Sequence, residues 1–280
     1  MERKVEKTVQ GFATQDGAGV HLVRVLGNST VSDVDPILML DSFDSQNPED
    51  YTAGFPMHPH RGIETISYVV SGAMQHRDSL GNEDTISNGE VQWMTAGSGI
   101  LHEERIPAAG HLLGVQLWLN LPAKDKLAPP AYHSIRSADI PEIALEGGKM
   151  RVLAGCYGGV CGYAARYLPL DYYDLQLEAG ARLSLETGPD RSVLLFTLQG
   201  SLTAGGAFLA EKTAAHLTAG DHVVLEGGEK PARVLVMSSL ALGEPVVWGG
   251  PIVMNTKEQL RQAFDELSAG TFLKTQVDYQ

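Results

Sequence analysis

The chain has 280 residues and a formal net charge of −13 at neutral pH. A chain of this length can form two domains of ordinary size, each with its own buried core. Because lysine and arginine side chains supply the sequence-independent affinity for phosphate backbones, the acidic balance argues against direct nucleic-acid binding.

The N-terminal residues, MERKVEKTVQGFATQ, lack the apolar core of a secretion signal. No stretch of the sequence approaches the roughly 20 apolar residues of a membrane helix. We therefore expect a cytoplasmic protein without membrane contact. Cys156 and Cys161 lie in the glycine-rich segment AGCYGGVCGY. A closed disulfide fits this spacing, but the cytoplasm favours two reduced thiols.

The first half of the chain consists of short strand-like segments. Two apolar runs, GVHLVRVL at 19–26 and ILMLDSF at 37–43, predict the first strands. ETISYVV, AMQHRD, EDTIS and VQWM follow after residue 62 and are separated by turns that contain glycine. Strands at such near-regular spacing are typical of a β-barrel or jelly roll. HLLGVQLWLNLP at 111–122 predicts a further, buried strand.

Two short motifs flank the four strands that follow residue 62. His58-Pro59-His60 precedes them and His102-Glu103-Glu104 follows them. Side chains two apart in an extended chain point to one face, so His58 pairs with His60 and His102 pairs with Glu104. If the strands bring the two pairs together, three imidazoles and one carboxylate converge. Such a set suits Fe, Mn, Ni, Cu or Zn better than Mg or Ca.

A metal ion also explains these motifs better than packing does. Four polar side chains at buried positions need partners, and a metal ion supplies one to all of them. Because proline has no N–H to donate, Pro59 places the first motif at a strand start or a sheet edge. His76 lies on a strand between the motifs and is a further candidate for the lining of the site.

The second half repeats the pattern of strands and turns. Residues 122–134, PAKDKLAPPAYHS, predict a linker, and a second series of strands begins near Ile140. An alignment of the turns in the two halves places Glu186 and Gly188 at the positions of the first two histidines, and Arg233 near the position of the third. We therefore expect an internal duplication whose second barrel holds no metal ion.

The last element is predicted to be helical. In TKEQLRQAFDELSAG, 256–270, apolar residues recur at helical spacing on one face. Thr256 and Gln259 form a capping box, and Gly270 is a C-terminal stop. The sequence therefore predicts an amphipathic helix after the second barrel.

FPMHPHRGIETISY, VQWMTAGSGILHEE and GPIVMNT resemble the pirin family of the cupin superfamily. The resemblance implies an all-β fold of two tandem cupin barrels (double-stranded β-helix or jelly roll) with a C-terminal α-helix. It implies a metal-binding barrel at 1–130, a barrel without metal ligands at 131–255, and a helix and tail at 256–280. It also implies one Fe(II) ion; its four ligands would be His58, His60, His102 and Glu104.

Two glutamates compete for the carboxylate role. Cupins in general carry a ligating glutamate shortly after the first two histidines, and Glu64 stands in that place. The pirin pattern instead gives this role to Glu104. We expect Glu104 to be both ligand and general base, with Glu64 as the alternative ligand or base or as a residue just behind the ligands.

The resemblance implies the activity of a quercetin 2,3-dioxygenase, in which a flavonol is opened by O₂ with release of carbon monoxide. A second interpretation is a non-enzymatic iron-binding regulator that acts through a protein partner, a transcription factor or a metabolic enzyme. A third, a sugar isomerase of the cupin type, is disfavoured because no basic cluster for a sugar phosphate lies beside the motifs.

Overall fold

The structure is a computed structural model, and it describes residues 1–274. Strands dominate this range, and its one α-helix lies near the C-terminal end, as the sequence predicts. The elements are β1 (Val5–Gln10), β2 (Phe12–Asp16), β3 (Val20–Leu26), β4 (Ile37–Ser45), β5 (Phe55–His60), β6 (Ile63–Ser71), β7 (Ala73–Asp78), β8 (Glu83–Ser87), β9 (Glu90–Thr95), β10 (Ile100–Arg105), β11 (Leu112–Asn120), β12 (Ala131–Ile135), β13 (Glu142–Leu145), β14 (Gly148–Ala154), β15 (Cys156–Tyr157), β16 (Val160–Cys161), β17 (Leu170–Leu177), β18 (Arg182–Glu186), β19 (Ser192–Gln199), β20 (Leu202–Ala204), β21 (Ala207–Leu209), β22 (Thr213–Leu217), β23 (His222–Gly227), β24 (Ala232–Ser239), β25 (Val247–Gly249), β26 (Ile252–Met254) and α1 (Lys257–Ser268).

The first barrel consists of two antiparallel sheets. One has the strand order β5-β10-β7-β8, and the other has the order β12-β9-β6-β11-β4-β3-β2. The central strand β11 is buried at every position, because it pairs with β4 on one side and with β6 on the other. Strand β5 lies at an edge of the smaller sheet, which is where a strand that contains Pro59 is tolerated.

The second barrel has the same design. Its sheets have the orders β18-β23-β20-β21 and β1-β22-β19-β24-β17-β14-β13. Each strand thus has a counterpart at the same place in the first barrel, with β1 in the place of β12. The predicted duplication and all-β architecture are confirmed.

The pairing registers correct the predicted alignment of the two halves. Thr-Ala-Gly at 95–97 precedes β10, and the same tripeptide at 218–220 precedes β23. The bulge shared by β6–β11 and β19–β24 aligns Ser71 with Gln199 and therefore His76 with Ala204. Glu104 pairs with His76 and Leu225 pairs with Ala204, so Leu225 corresponds to Glu104 and Val223 to His102. The neighbours of Val223 on β18 show that Leu185 corresponds to His58 and Thr187 to His60, so Glu186, Gly188 and Arg233 do not occupy the positions of the histidines. The turn-based alignment failed because the connection from β18 to β19 is longer than that from β5 to β6, and because Asn88-Gly89 precedes β9 whereas Ala219-Gly220 precedes β23, the counterpart of β10.

The chain forms two compact units that are discontinuous in sequence. One comprises Met1–Phe12, Val25–Pro36 and Ala138–Leu242; the other comprises Ala13–Arg24, Ile37–Ser137 and the residues from Gly243 onward. The expected domains, 1–130, 131–255 and 256–280, are continuous and therefore differ from these units. The physical reason at the N-terminal end is that β1 pairs with β22, so the first residues complete the second barrel. Residues 275–280 of the expected tail lie outside the described range.

Two local predictions are wrong. The expected linker at 122–134 contains the start of a strand, because β12 pairs with β9 and extends the larger sheet of the first barrel. Cys156 and Cys161 form a disulfide, whereas we expected reduced thiols. The two cysteines are directly opposite each other in the β15–β16 hairpin, which brings their Cα atoms to 4.1 Å from each other.

The α-helix has the predicted cap. Thr256 and Gln259 exchange the side-chain and backbone bonds of a capping box. Ala263 is buried in a small apolar cluster with Ile252, Met254 and Phe272. Among the described residues, no helix has both the length and the apolar character needed to cross a membrane.

Candidate metal centre

Three histidine side chains meet on the smaller sheet of the first barrel. His58 and His60 lie on β5, His102 lies on β10, and His102 is the direct partner of His58 in the antiparallel ladder. One ring nitrogen of each residue lies within 4.8 Å of one ring nitrogen of the other two. The expected convergence of the two motifs therefore holds for all three imidazoles.

Hydrogen bonds orient the first two imidazoles. The Nδ1 atom of His58 lies 2.8 Å from the carbonyl oxygen of Pro56, and the Nδ1 atom of His60 lies 3.0 Å from that of Pro251. Because a carbonyl only accepts, each Nδ1 carries the proton and each Nε2 keeps its lone pair. The two Nε2 atoms are 3.0 Å apart. Two lone pairs at this distance repel each other unless a cation binds both.

The third imidazole also offers a lone pair. His102 is almost fully buried, and its Nε2 atom has no hydrogen-bond partner among the described residues. Burial lowers the pKa of His102 far below its usual range, and nearby histidines lower it further. Burial and the adjacent His58 likewise lower the pKa of His60 to about 3. Neutral imidazoles are the form that binds metals, so the residues present fit a transition-metal ion.

Glu104 lies near the three imidazoles, but its carboxylate oxygens are outside the set of ligand atoms that lie within 4.8 Å of one another. It is two residues from His102 on β10 and is 1% exposed. Its Oε1 atom accepts a hydrogen bond from Nε2 of Gln92 at 2.5 Å, and its Oε2 atom accepts one from Nε2 of Gln116 at 2.8 Å. A carboxylate oxygen has a second lone pair, so these bonds fix the carboxylate and leave it able to bind a cation.

Glu64 is buried on β6. Its Oε1 atom accepts a hydrogen bond of 2.6 Å from the Thr95 hydroxyl, and its Oε2 atom has no hydrogen-bond partner among the described residues. Burial raises the pKa of Glu64, although hydrogen bonds from Thr95 and Trp93 oppose the shift. Burial therefore disfavours the charged form of this carboxyl group.

His76 is closer to the site than its isolated position in the sequence indicates. Its Nδ1 atom lies 3.4 Å from Nδ1 of His102, and its ring stacks on Tyr132 with the centroids 4.1 Å apart. Its Nε2 atom lies 2.8 Å from a carboxylate oxygen of Asp78. These contacts hold the His76 ring next to the Nδ1 atom of His102. The signal in the sequence was the polar pair His76 and Asp78 on one face of a strand.

Trp118 of β11 and the segment after the second barrel together form one wall of the site. Trp118 packs edge-on against His60, with the centroids 4.9 Å apart, and Trp248 lies 5.6 Å from Trp118. Arg61, next to His60, forms an ion pair of 2.8 Å with Glu266 of α1 and donates to the carbonyl oxygen of Phe272. The C-terminal segment therefore holds the end of β5 by two kinds of contact. Its backbone carbonyl oxygens accept hydrogen bonds from His60 and Arg61, and Glu266 pairs with the buried Arg61 guanidinium group.

Sequence reasoning missed several of these supporting residues. Gln92 and Gln116 lie at buried positions between apolar neighbours on their strands, and this signal could have identified them. Pro251 belongs to the GPIVMNT motif, but nothing within that motif indicates a contact with the histidines, and Trp248 lies outside the motifs.

Comparisons with known proteins identify the family of this chain. The Pirin family model matches residues 19–119, and the model of the Pirin C-terminal cupin domain matches residues 172–273. A Pseudomonas aeruginosa relative is 43% identical over 96% of this chain and 97% of its own length. It is named as a quercetin 2,3-dioxygenase with that activity still unproven.

Solved structures show the same fold. A crystal structure described as a quercetin 2,3-dioxygenase from Acinetobacter baumannii has a TM-score of 0.90 and 33% identity, and the match covers 97% of this chain and 99% of that one. A bacterial pirin from Escherichia coli, solved in complex with nickel(II), has a TM-score of 0.63 and 21% identity over 84% of this chain and 98% of its own. The two family models and the extent of these matches show that this chain belongs to the pirin family.

Proposed function

We propose that the protein is a metal-dependent dioxygenase of the pirin type that cleaves quercetin or a related flavonol with O₂. The observation that carries this proposal is the group of three imidazoles whose ring nitrogens converge. The family and the quercetin dioxygenase names among its relatives support the substrate class.

We propose His58, His60, His102 and Glu104 as the ligands of one ion, with Fe(II) as the resident metal and Mn, Ni, Cu or Zn as alternatives. Three nitrogen donors and one oxygen donor suit these metals. When bound, the metal would supply Lewis acidity and a path for electrons between the flavonol and O₂.

The protein contributes orientation and proton transfer. The Pro56 and Pro251 carbonyls hold two imidazoles in the ligating tautomer. A flavonol has a 3-hydroxyl group that must lose its proton to become reactive, and Glu104 is proposed to accept it. The two glutamine amides keep this carboxylate in place, while Trp118 shields His60 from water on one side.

The test is turnover of quercetin under air by protein of known metal content. Loss of the flavonol absorbance together with release of carbon monoxide is the expected result. His60→Ala should lose bound metal and turnover together, whereas the matched surface variant His133→Ala should keep both. Turnover that persists in metal-depleted His60→Ala protein would refute the proposed site.

The role of the two carboxylates can be separated by conservative variants. Glu104→Gln should lose both metal affinity and turnover, because it removes a ligand and a base. Glu64→Gln should keep the metal. If Glu64→Gln abolishes turnover with the metal still bound, while Glu104→Gln remains active, the assignment of the base must be reversed.

A non-enzymatic iron-binding regulator is the second candidate. The net charge of −13 gives the chain an acidic character that suits a basic protein partner. No turnover with any of Fe, Mn, Ni or Cu in a chain that retains the metal would favour this function over the dioxygenase.

A further inference from the structure

The second barrel has a cavity of about 410 Å³ that the proposed dioxygenase reaction does not use. Its walls include Asp171 and Tyr173 of β17, Val236 and Ser238 of β24, and the three residues 186–188 at the end of β18. The β15–β16 hairpin, closed by its disulfide, contributes Cys156, Tyr157 and Gly158. A cavity of this size accommodates a small organic molecule.

This cavity corresponds in position to the region of the metal centre in the first barrel. Strand β24 is the counterpart of β11, and the registers β19–β24 and β6–β11 share the same bulge. In that register Ser238 takes the place of Trp118, the side chain that packs on His60. Ser239 takes the place of Leu119. Exchange of an indole for a hydroxymethyl group opens space where the first barrel has an aromatic wall.

Hydrogen bonds and a ring contact hold the walls of the cavity in place. Arg3 donates from its Nε atom to the Thr187 hydroxyl at 2.7 Å and from Nη2 to the Gly188 carbonyl oxygen at 2.7 Å. The Tyr173 hydroxyl donates to the Cys156 carbonyl oxygen at 2.7 Å, and the rings of Tyr157 and Tyr173 meet edge to face. These bonds hold the loop after β18 and the hairpin at defined positions.

One polar group in the cavity has no partner. Ser238 is 2% exposed, and its Oγ atom lacks a hydrogen-bond partner among the described residues. Because a buried hydroxyl group without a hydrogen bond is unfavourable, it is a natural contact for a ligand.

The charged side chains that line the cavity favour a ligand of opposite charge. Asp171 and Glu186 contribute carboxylates, and no lysine, arginine or histidine is among the lining residues. The two tyrosines add aromatic faces, which attract cations. The Arg3 guanidinium group lies behind Thr187 and Gly188, but it is 1% exposed and its three nitrogens donate to Thr187, Thr218 and Gly188. The groups at the cavity surface are therefore the two carboxylates, which disfavour an anion and favour a donor with positive charge.

We infer that this cavity is a second ligand site, independent of the metal centre, that binds a small organic amine in its cationic form. Asp171 and Glu186 bind the ammonium group, the Ser238 hydroxyl accepts one of its hydrogen bonds, and the tyrosine rings contact the apolar body of the ligand.

Three probes of one shape test the charge selectivity: phenethylamine, 2-phenylethanol and phenylacetate, titrated calorimetrically into the metal-loaded full chain at neutral pH. Phenethylamine should bind more tightly than the alcohol, and phenylacetate should not bind. Asp171→Asn and Glu186→Gln should each weaken the amine at least about tenfold, because a hydrogen bond to a charged group is lost. Glu178→Gln, at an exposed position after the same strand β17, is the matched control and should bind as the wild type does.

Two further variants locate the site. Ser238→Trp should fill the cavity and abolish binding; if it does not fold, the two carboxylate variants still decide. His60→Ala should leave amine binding unchanged. The inference is overturned if phenethylamine does not bind at millimolar concentration, or if phenylacetate binds as tightly. It is also overturned if binding survives in both carboxylate variants or disappears in His60→Ala.

Discussion

At the scale of single residues, the site depends on polar side chains inserted into apolar strands. Gln92 and Gln116 are 3% and 7% exposed, and each donates an amide hydrogen to Glu104. A buried carboxylate needs such donors, since burial without them is strongly unfavourable. The amides also decide in which direction the carboxylate can offer its remaining lone pairs.

Gln116→Met should weaken metal binding with only a small change in shape. The variant removes one donor to Glu104, so the carboxylate loses its fixed orientation. Loss of a partner that orients a metal ligand typically costs about 10–100-fold in metal affinity. Competition with a chelator measures the change, and Gln75→Met on the partly exposed face of β7 is the control. Equal affinities in the two variants would show that Gln116 does not orient a ligand.

Because of Lys126, we expect the free energy of unfolding to increase as the pH rises above neutrality. It is 2% exposed and donates to the carbonyl oxygens of Gly62 and Val253 and to Oδ1 of Asn120. Burial lowers the pKa of Lys126 from 10.5 to about 7, although Glu244 opposes the shift. Between these two pKa values the unfolded chain binds more protons than the folded chain, so stability rises as the pH rises.

The comparison that isolates this effect is denaturant unfolding of the wild type and of Lys126→Met at pH 7 and pH 9. The wild type should gain stability relative to the variant as the pH increases. Parallel pH profiles for the two proteins would mean that Lys126 keeps its proton in the folded chain.

At the scale of elements, strand β5 depends on a segment almost two hundred residues later. Pro251 accepts the hydrogen bond of His60, and the Val253 N–H donates to the Arg61 carbonyl oxygen at 3.1 Å. A Cβ atom at Gly62 would lie 2.0 Å from the Val253 carbonyl oxygen, and Gly62 has φ of 79°. Glycine is therefore required where the two segments meet.

Glu266→Gln should loosen helix α1. Burial opposes ionisation of Glu266, but hydrogen bonds from Lys274 and Arg61 lower its pKa to about 2. A depressed carboxyl pKa stabilises the fold above the ordinary value of 4.5, and this contribution is lost as the pH falls toward 2. The variant should lose about 2 kcal/mol, since Arg61 loses a charged partner.

Hydrogen exchange of the α1 amides measures this change. Protection factors of the α1 amides, which are corrected for the intrinsic pH dependence of exchange, should be lower in Glu266→Gln; acid should lower them in the wild type and have less effect in the variant. Asp265→Asn, an exposed neighbour on the same helix, should exchange as the wild type does. Unchanged exchange in Glu266→Gln would show that the ion pair does not hold the helix.

The sequence predicted those elements whose information is local. The strands β6 to β9, the capping box at Thr256 and the paired spacing of the histidines follow from patterns within a few residues. The pairing of β1 with β22 and that of β12 with β9 could not be predicted, because an edge strand joins a sheet that has a free edge, and this depends on the tertiary fold. The contact of Pro251 with His60 also needs the tertiary fold.

At the scale of the whole molecule, one barrel design serves two different interiors. The positions that carry His58, His60 and His102 in the first barrel carry Leu185, Thr187 and Val223 in the second. Leu185 and Val223 are fully buried in the core of the second barrel. The same strand order thus presents nitrogen ligands in one copy and apolar packing in the other.

This difference predicts one metal ion per chain. The position of Glu104 corresponds to Leu225, so the second barrel has lost the carboxylate as well as the imidazoles. Leucine and valine offer no lone pair, so a metal ion placed there would meet the Thr187 hydroxyl group and otherwise hydrocarbon. Elemental analysis of the full chain should therefore give one equivalent of transition metal, and His102→Ala should reduce it to none. Two equivalents in the wild type, or retention of one equivalent in His102→Ala, would show that a second set of ligands exists outside the first barrel.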